Sequence, residues 1–404
     1  MRIPALVLDD ARGHFGIHRE ERGVHELVRD PLGVHKLFFA IDDEGGVHSA
    51  TYFADLRAEG FAPGRIWSVP SGHRMVIDPR ARTLLIERLS ELAMAGECPI
   101  DEALLQAHAA RITHALEQAF ESIARALSTE HVYVTLSGGL DSTGIAVLAQ
   151  AYFPRVAAIT FAIGGEHGPG SDLASARRVA KDLGIELVEV IATREEVVEL
   201  LDDALVWGQD WRDFNVHCAL VNAALAEALP EGAVILTGDG MNELMADYSP
   251  VKVGARTLYG LPRLSPGKLR RVLVAGLDAG DREIGVFARR GIRALQPYLL
   301  CADAYTALPD EFVASEGSKQ ALVKRVLGDR VPAFVYERPK VRAQVGSSGE
   351  VGGTVRALLD RGIDQARLAA RFRELLGLSA EEQRALIRAG FYRFPTRWPE
   401  DIAS

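Results

Sequence analysis

The sequence predicts an α/β protein: a doubly wound parallel sheet preceded by a small antiparallel β unit. Short apolar runs separated by turn residues occupy the first hundred residues, and strand-like runs alternate with helical runs from residue 132 onward. Strands that alternate with helices of roughly ten to fifteen residues are typical of parallel sheets. We therefore predict a front domain over 1–98 and a larger domain over 99–404.

The composition is that of an ordinary globular chain. Its 404 residues are 48% hydrophobic and 25% charged, which excludes disordered, collagen-like and small disulfide-stapled proteins. The net charge of −9 disfavours a nucleic-acid partner held through its phosphates. The cysteines Cys98, Cys218 and Cys301 are too widely spaced for a disulfide framework or a Cys-x-x-Cys metal site. No apolar run reaches the roughly 18 residues that span a bilayer, so we expect no membrane partner and a cytoplasmic location.

The individual elements follow from periodicity and turn signals. Strands of the front unit are predicted at 36–41, 48–53 and 73–77, between Gly, Pro and Asp turns. A long amphipathic helix is predicted from about residue 101 to Leu127, because its apolar residues recur on one face. The rest of the chain is predicted to be mostly helical, with a Gly-rich loop at 344–353. The predicted strands of the parallel sheet are 132–136, 156–163, 186–191 and 233–237, with helices at 142–151 and 173–183.

The strongest chemical signal is a Ser-Gly-Gly-Leu-Asp-Ser hexapeptide between a predicted strand and a predicted helix. Its glycines permit a tight turn with outward N–H groups, and the helix start adds its positive dipole end, so the turn can hold a pyrophosphate. Asp141 would repel phosphate unless Mg2+ lies between them, so the hexapeptide predicts ATP with Mg2+. The absence of a Walker A pattern disfavours γ-phosphoryl transfer by that machinery. The predicted nucleotide-binding residues of the hexapeptide are Ser137, Gly138, Gly139, Leu140, Asp141 and Ser142.

Three further segments follow in order. They are Ile159–Ile163 with the helix that follows it, Gly238–Leu244, and Glu337–Lys340 ahead of a Gly/Ser-rich loop. Together with the hexapeptide they resemble the asparagine synthetase and β-lactam synthetase family of the ATP-pyrophosphatase superfamily. The resemblance covers roughly residues 100–355. It implies a synthetase domain with an adenine nucleotide alpha hydrolase-like fold.

The resemblance also implies roles for individual residues. Lys340 occupies the position of the family's catalytic lysine, and Asp239 would be a second catalytic residue, with a helix N-cap as its alternative role. Lys319 either contacts phosphate or lies on the surface. The other residues predicted to bind the nucleotide are Thr160, Phe161, Gly238 and Gly240.

The second loop departs from the family pattern at the expected metal ligand. Asn242 stands where the family carries a metal-binding Asp, which removes one negative charge. Either Asp239 or Glu243 then takes over metal ligation, or Mg2+ is bound by Asp141 and phosphate oxygens alone.

The activity that the resemblance implies is AMP-forming amide synthesis. The substrate carboxylate attacks the α-phosphate of ATP to give an acyl-adenylate, and an amine or ammonia then displaces AMP. Adenylation is needed because a carboxylate is a poor acyl donor, and the protein must neutralise charge and align the amine. The expected setting is specialised biosynthesis, with a small carboxylic acid and an amine as substrates.

The front unit resembles part of a glutaminase domain. Arg29–Phe38 and Val69–His73 are similar to two of its segments, but the family's N-terminal cysteine is absent, because residue 2 is Arg2 and the first cysteine is Cys98. The resemblance implies a truncated, structural domain. Nitrogen would then come from free ammonia, from a partner protein that supplies ammonia, or from a carbon-bound amine.

A polar stretch before the second loop is a candidate substrate site. Arg212 could hold a substrate carboxylate in a bidentate fork, and Asp213 or Asp210 could receive an ammonium group. A buried polar network or a helix face would explain the same residues.

Two alternative functions remain beside the amide ligase. The first loop also occurs in ATP-pyrophosphatases that modify nucleotides or tRNA, and the altered second loop is compatible with a non-catalytic subunit of a synthetase complex. The sequence leaves open whether copies of the chain associate.

Overall fold

The computed structural model describes most of the chain. Lys340 and the predicted Gly-rich loop up to residue 352 lie outside the described residues. The described residues are 5–8, 12–164, 171–248, 251–253, 256–258, 263–339, 353–388 and 393–399.

The front unit contains two antiparallel sheets, which confirms the predicted antiparallel β unit. One has the strand order β3-β4-β8-β9 and the other β6-β5-β7, and a short β1-β2 pair precedes them. Alternate side chains point between the sheets, where Leu27, Phe39 and Met75 are fully buried. The strands are β1 (Leu6–Val7), β2 (Gly13–His14), β3 (Gly16–Glu21), β4 (Val24–Arg29), β5 (Phe38–Ile41), β6 (Val47–Ala50), β7 (Trp67–Ser68), β8 (His73–Asp78) and β9 (Thr83–Arg88).

Two helices belong to the front half of the chain, α1 (Phe53–Ala58) and the long α2 (Glu102–Leu127). The side chain of Asp101 caps α2 by accepting a hydrogen bond from the Leu104 N–H. The amphipathic helix is confirmed, and its predicted apolar face is buried from Ile112 to Ile123. At its start the buried residues are Leu105 and Ala109, whereas the predicted Leu104 is exposed.

A parallel sheet forms the centre of the larger part. Its order among the described strands is β12-β11-β10-β13-β16, and all four neighbouring pairs are parallel. The four predicted strands are confirmed. The fifth has only three residues, too few for a periodic pattern. The strands are β10 (His131–Thr135), β11 (Arg155–Ile163), β12 (Glu186–Ala192), β13 (Val234–Leu236) and β16 (Arg293–Leu295), and a separate hairpin contains β14 (Val251–Val253) and β15 (Arg256–Leu258).

The remaining elements are helices, as predicted. Local signals set their ends: the Ser171 hydroxyl caps α4, and Gly184 closes it in the left-handed conformation. These helices are α3 (Leu140–Tyr152), α4 (Asp172–Leu183), α5 (Arg194–Glu199), α6 (Leu201–Trp207), α7 (Asp213–Ala228), α8 (Met241–Leu244), α9 (Pro266–Ala275), α10 (Ile284–Ala288), α11 (Pro297–Leu300), α12 (Ala302–Thr306), α13 (Asp310–Ala314), α14 (Ser318–Leu327), α15 (Ala333–Glu337), α16 (Gly353–Asp360), α17 (Gln365–Leu376) and α18 (Ala380–Arg388). None of the described helices combines the length and apolar composition needed to cross a bilayer.

The strand order places a crevice at one point of the sheet. Chain order runs outward in one direction from β10 to β12 and in the other from β13 to β16. In open α/β sheets, ligands bind beyond the carboxyl ends of the strands where this order reverses. The loops that follow β10 and β13 are the two loops predicted from the sequence, so the fold brings them together.

Buried polar contacts join the front unit to the larger part. The Arg29 guanidinium forms an ion pair with Asp278 at 2.7 Å, and the Lys36 ammonium donates to the Leu277 carbonyl at 2.9 Å. The Tyr52 hydroxyl donates to the Gly285 carbonyl at 2.6 Å. These contacts bracket a segment that leads directly into the crevice.

Candidate active site

A cavity of about 610 Å³ opens at the crevice. It contains most of the residues that the sequence predicts to act on a nucleotide. Gly138, Gly240, Glu243, Arg212 and Asp213 do not line it. The predicted residues that do are Ser137, Gly139, Leu140, Asp141, Ser142, Thr160, Phe161, Gly238, Asp239 and Lys319.

The first loop is a tight turn closed by its own hydroxyls. Gly138 has a φ of +70°, and a Cβ there would lie 2.5 Å from the backbone of Ser175, so the position requires glycine. The Ser142 hydroxyl accepts from the Ser137 N–H at 3.2 Å and donates to the Gly139 carbonyl at 3.2 Å. Gly139 is the N-cap of α3, which places the positive end of a 13-residue helix at the cavity wall.

The second loop packs directly on the first. A Cβ on Gly238 would lie 2.9 Å from the Ser142 nitrogen, so only glycine permits this approach. Gly240 packs against Leu299, and its φ of +94° turns the chain into α8. Gly138 and Gly240 therefore shape the two loops without facing the cavity.

Lys319 lies inside the cavity wall, in the first turn of α14. Its ammonium donates to Asp141 Oδ2 at 2.6 Å and to Asn242 Oδ1 at 2.9 Å, and it lies 3.1 Å from Asp247 Oδ2. Burial favours the neutral amine, but Asp141 and Asp247 outweigh it and hold the pKa of Lys319 above its ordinary value. The Asn242 amide, in place of an aspartate, thus contacts a protein cation.

Asp239 forms a bidentate ion pair with Arg282. The guanidinium Nε donates to Oδ2 at 2.7 Å and Nη2 donates to Oδ1 at 2.6 Å. Burial raises the pKa of Asp239 to about 6, and the negative charge of Glu243 adds to this, whereas Arg282 opposes it. Asp239 is not an N-cap of α8, since Gly240 occupies that position.

Glu243 faces the same arginine rather than the cavity. Its Oε1 accepts from Arg282 at 2.7 Å and from the Tyr248 hydroxyl at 2.5 Å. Burial would raise the pKa of Glu243, but Arg282 and Tyr248 outweigh burial and keep it low. Its Oε2 is buried and has no hydrogen-bond partner among the described residues. This arrangement does not support the predicted role of Glu243 as a metal ligand, because Glu243 does not line the cavity and its Oε1 is held by Arg282 and Tyr248.

Asp141 provides the oxygen that fits a magnesium ion. Its Oδ1 is buried and has no hydrogen-bond partner among the described residues, while Oδ2 contacts Lys319. A hard divalent cation prefers such carboxylate oxygens together with phosphate and water. The described residues contain no group of three or more His, Cys, Asp or Glu side chains arranged as a metal centre. Asp141 is therefore the carboxylate of the cavity that would hold magnesium, together with phosphate oxygens of a bound nucleotide.

Arg338 connects the segment before Lys340 to the first loop. Its Nη1 donates to the Ser137 carbonyl at 2.8 Å, and its Nη2 donates to Asp172 Oδ1 at 2.6 Å. Burial raises the pKa of Asp172 to about 6 although Arg338 opposes the shift. Position 340 itself lies outside the described residues, but the chain reaches it from the wall of the cavity.

The predicted substrate fork, Arg212, is already engaged. Its Nε and Nη2 donate to the Asp210 carboxylate at 3.0 and 2.7 Å, and Nη2 also donates to the Ala279 carbonyl at 3.3 Å. Asp213 accepts from the Phe214 N–H at 2.7 Å and begins α7. The structure brings neither Arg212 nor Asp213 into the cavity lining. Arg212 instead belongs to a partly exposed polar network around the buried Asp210.

Sequence reasoning missed several cavity residues. Arg282 and Glu283 line the cavity and follow a short 3-10 helix. Together with Asp281 they form three consecutive charged residues, which is typical of an exposed surface. No sequence motif therefore identifies them. Tyr248 and Asp247 follow the second loop without a pattern of their own. Only their position in the folded chain reveals them.

Comparisons with known proteins complete the description. Residues 111–283 match the family model "Asparagine synthase". The human glutamine-hydrolyzing asparagine synthetase is 25% identical over 361 residues, which cover 78% of this chain and 59% of that protein. The mouse enzyme is 27% identical over 360 residues with the same coverage. A putative asparagine synthetase of Mycobacterium bovis is 31% identical over 184 residues, which cover 44% of this chain and 28% of that protein.

The chain spans about 59% of the length of the first two of these relatives. Among solved structures, NMN synthetase from Francisella tularensis has a TM-score of 0.33 at 13% identity and covers 73% of this chain and 98% of that one. Glutamine-dependent NAD+ synthetase from Acinetobacter baumannii, in complex with ADP, has a TM-score of 0.31 at 16% identity and covers 83% and 54%.

Proposed function

We propose that the chain is an ATP-dependent, AMP-forming amide ligase, because residues 111–283 match the asparagine synthase family model and the chain is similar to asparagine synthetases. The enzyme adenylates a small carboxylic acid and transfers the acyl group to an amine or ammonia. The observation that carries the proposal is the contact of two glycine-containing loops, Ser137–Ser142 and Gly238–Met241, in one cavity at the reversal of strand order.

The first loop is the proposed phosphate site. The start of α3 offers backbone N–H groups and a positive dipole end, and Lys319 adds a fixed positive charge nearby. Leu136, Ile159 and Phe161 provide an apolar wall on which a purine can pack. Magnesium, held by Asp141 Oδ1 and phosphate oxygens, would neutralise charge on the departing pyrophosphate.

Lys340 and Asp239 are the proposed catalytic residues beside the acyl group. Arg338 ties the segment before Lys340 to the first loop, so the Lys340 ammonium can stabilise negative charge where adenylate forms and breaks. Asp239 lines the cavity and is kept ionised near neutral pH by its Arg282 partner. Losing a charge-stabilising contact of the Lys340 kind typically lowers the rate by about 10²–10³.

We propose that the chain has no glutaminase activity of its own. Among its cysteines, Cys98 is exposed in the segment between β9 and α2, and Cys218 and Cys301 belong to the larger part. Burial raises the pKa of both Cys218 and Cys301 to about 12, which disfavours the reactive thiolate. The nitrogen source is then ammonia, free or from a partner protein, or a carbon-bound amine, as in natural-product biosynthesis.

One assay tests the proposal. The full chain is incubated with ATP, Mg2+ and a panel of carboxylic acids that includes L-aspartate, with ammonium chloride, L-glutamine or hydroxylamine, and AMP, pyrophosphate and hydroxamate are measured. Carboxylate-dependent pyrophosphate release supports the ligase. Release that requires tRNA indicates a nucleotide-modifying enzyme, and silence across the panel indicates a non-catalytic subunit.

Matched variants make the assay specific. Asp141→Asn removes the proposed metal ligand and should abolish pyrophosphate release, whereas Asp182→Asn changes an exposed aspartate on α4 and should leave it intact. Glutamate release from L-glutamine would contradict the absence of glutaminase activity.

A further inference from the structure

Glu283 is a cavity-lining carboxyl that the proposed mechanism does not use. It is 8% exposed and lines the same cavity as Asp141 and Asp239. Its Oε2 accepts hydrogen bonds from the Thr237 hydroxyl at 2.6 Å and from the Gln296 amide at 2.7 Å. Thr237 directly follows β13 and Gln296 directly follows β16, so two neighbouring strand ends hold the carboxyl in place.

Glu283 differs from the other buried acids of the cavity in its partners. Asp141 contacts Lys319, Asp239 contacts Arg282, and Asp172 contacts Arg338, each through an ion pair. Among the described residues, Glu283 forms no ion pair, and its hydrogen bonds come from neutral groups alone. No cation therefore contacts its carboxylate directly, and the charge of Arg282 acts on it only from a distance.

The surroundings of Glu283 favour uptake of a proton. Burial raises the pKa of Glu283 to about 8, and the charge of Asp239 adds to this, while Arg282 opposes it. The Cys218 thiol nearby is neutral, because burial raises its pKa to about 12. Beyond Gln296, burial lowers the pKa of His14 to about 4, so this imidazole is neutral too.

We propose that Glu283 accepts the proton that the attacking amine loses during amide formation. The amine nitrogen forms a bond to the acyl carbon, the bond from that carbon to the AMP oxygen breaks, and AMP leaves with the electron pair. The proton released by nitrogen passes to the Glu283 carboxylate. This inference rests on the proposed function, because it concerns the second half of that reaction.

Asp239 is a poorer proton acceptor than Glu283. Both of its oxygens accept hydrogen bonds from the Arg282 guanidinium, which stabilises the ionised form. A general base works best when its pKa lies near the working pH, and the isolated carboxyl of Glu283 meets that condition. The ionised Asp239 keeps its proposed place beside the acyl group and also holds Arg282 in position.

The test compares two nucleophiles in one variant. Glu283→Gln keeps an oxygen that can accept from Thr237 and Gln296 but cannot take up a proton. The probe reaction uses the acid that releases most pyrophosphate in the panel, with either ammonium chloride or hydroxylamine. Hydroxylamine is a much weaker base than ammonia and is already unprotonated at neutral pH, so it depends less on a protein base.

We expect Glu283→Gln to lower kcat for amide formation from ammonium about 10²-fold and to leave hydroxamate formation within about threefold of wild type. At a fixed concentration of free ammonia, the wild-type rate should rise to a plateau above about pH 8, and the variant should lose that rise. Glu231→Gln, an exposed acid in the turn before β13, serves as the control with unchanged rates.

Two results overturn the inference while leaving the ligase intact: ammonium-dependent amide formation within threefold of wild type, or an equal loss of amide and hydroxamate. A wild-type protein that yields neither pyrophosphate nor hydroxamate overturns the proposed function itself.

If Glu283→Gln melts below the assay temperature, Glu283→Asp replaces it. That shorter acid should keep the pH-dependent rise at a reduced rate, and a rate independent of pH would overturn the inference.

Discussion

The Lys319 ammonium lies 2.6 Å from the Asp141 carboxylate, across 178 residues of the chain. This pair joins the first turn of α14 to the first loop, and Asn242 and Asp247 complete the surroundings of the ammonium. The corner of the cavity beside Asn242 thus contains a protein cation. In the proposed enzyme, Lys319 and magnesium would together balance the negative charge of Asp141.

Replacing Lys319 should make nucleotide use more dependent on magnesium. Lys319→Met leaves Asp141 and Asp247 without their cation, so phosphate meets stronger repulsion. We expect the KM for ATP to rise about tenfold or more, as for loss of a charge-assisted contact worth about 1.5–3 kcal/mol, with less effect at high Mg2+. Pyrophosphate release measured across a magnesium series tests this. Lys324→Met on the same helix is the control, and an unchanged magnesium dependence for Lys319→Met would contradict the prediction.

Removing Arg338 should destabilise the protein and slow catalysis. Arg338→Met leaves Asp172 buried without its partner, and breaking a buried pair costs about 3–5 kcal/mol. The segment before Lys340 also loses its contact with Ser137, so kcat should fall at least tenfold. Denaturant unfolding of Arg338→Met, Asp172→Asn and the double variant forms a cycle. Additive losses in that cycle would show that the two side chains do not interact.

Glu283 should make stability depend on pH. Its pKa is raised to about 8 in the fold from an ordinary 4.5. The unfolded chain thus ionises first, and the stabilising effect of the neutral carboxyl, complete below pH 4.5, is lost as pH rises to about 8. Relative to wild type, Glu283→Gln should therefore gain several degrees of melting temperature between pH 6 and pH 9. Scanning calorimetry at both pH values measures this gain, and parallel pH dependence in the two proteins would refute it.

Arg29 of the front unit should stabilise the segment that places Arg282 and Glu283 in the cavity. Arg29 is 2% exposed and pairs with Asp278, four residues before Arg282. Arg29→Met should loosen the 276–285 segment, lower the melting temperature and reduce kcat, because Arg282 and Glu283 lose their support. Arg19→Met, with a side chain 70% exposed in the same unit, should do neither. Limited proteolysis near residue 280 measures the loosening of the segment, and the amide assay measures kcat. Normal turnover in a destabilised Arg29→Met variant would contradict the predicted effect of Arg29 on the site.

Arg212→Ala distinguishes a substrate clamp from a structural role. Because its fork contacts Asp210 and Ala279, we expect lower stability and KM values for acid and ATP that change together by less than twofold. Steady-state kinetics with both substrates provide the measurement. A large rise in the KM for the acid alone would restore the clamp predicted from the sequence.

The parts of the fold that the sequence predicts correctly are those with a local signal. Strand β11 is a nearly continuous apolar run within nine residues, helix α2 shows its periodicity over 26 residues, and the hexapeptide has its turn chemistry within one segment. The same local view also identified Lys319 as a residue near phosphate or on the surface, and the structure places it in the cavity wall.

The remaining site residues have no local signal. Arg282 and Glu283 follow Asp281 as three consecutive charged residues, a pattern typical of exposed loops, yet Asp281 and Glu283 are both less than 9% exposed. Their burial depends on Lys36 and Tyr52, which lie more than 200 positions earlier in the chain. A strand such as β16, with three residues, likewise becomes recognisable only beside β13.

The junction between the front unit and the cavity depends largely on main-chain oxygens. Lys36 donates to the Leu277 carbonyl, and Tyr52 donates to the Gly285 carbonyl. Every residue type has a main-chain carbonyl, so the backbone conformation of residues 277–285 can be kept while most of its side chains are substituted. Related proteins can thus alter the side chains that this segment presents to the cavity and keep its framework, so that the proposed substrate range can change without rebuilding the two glycine-containing loops.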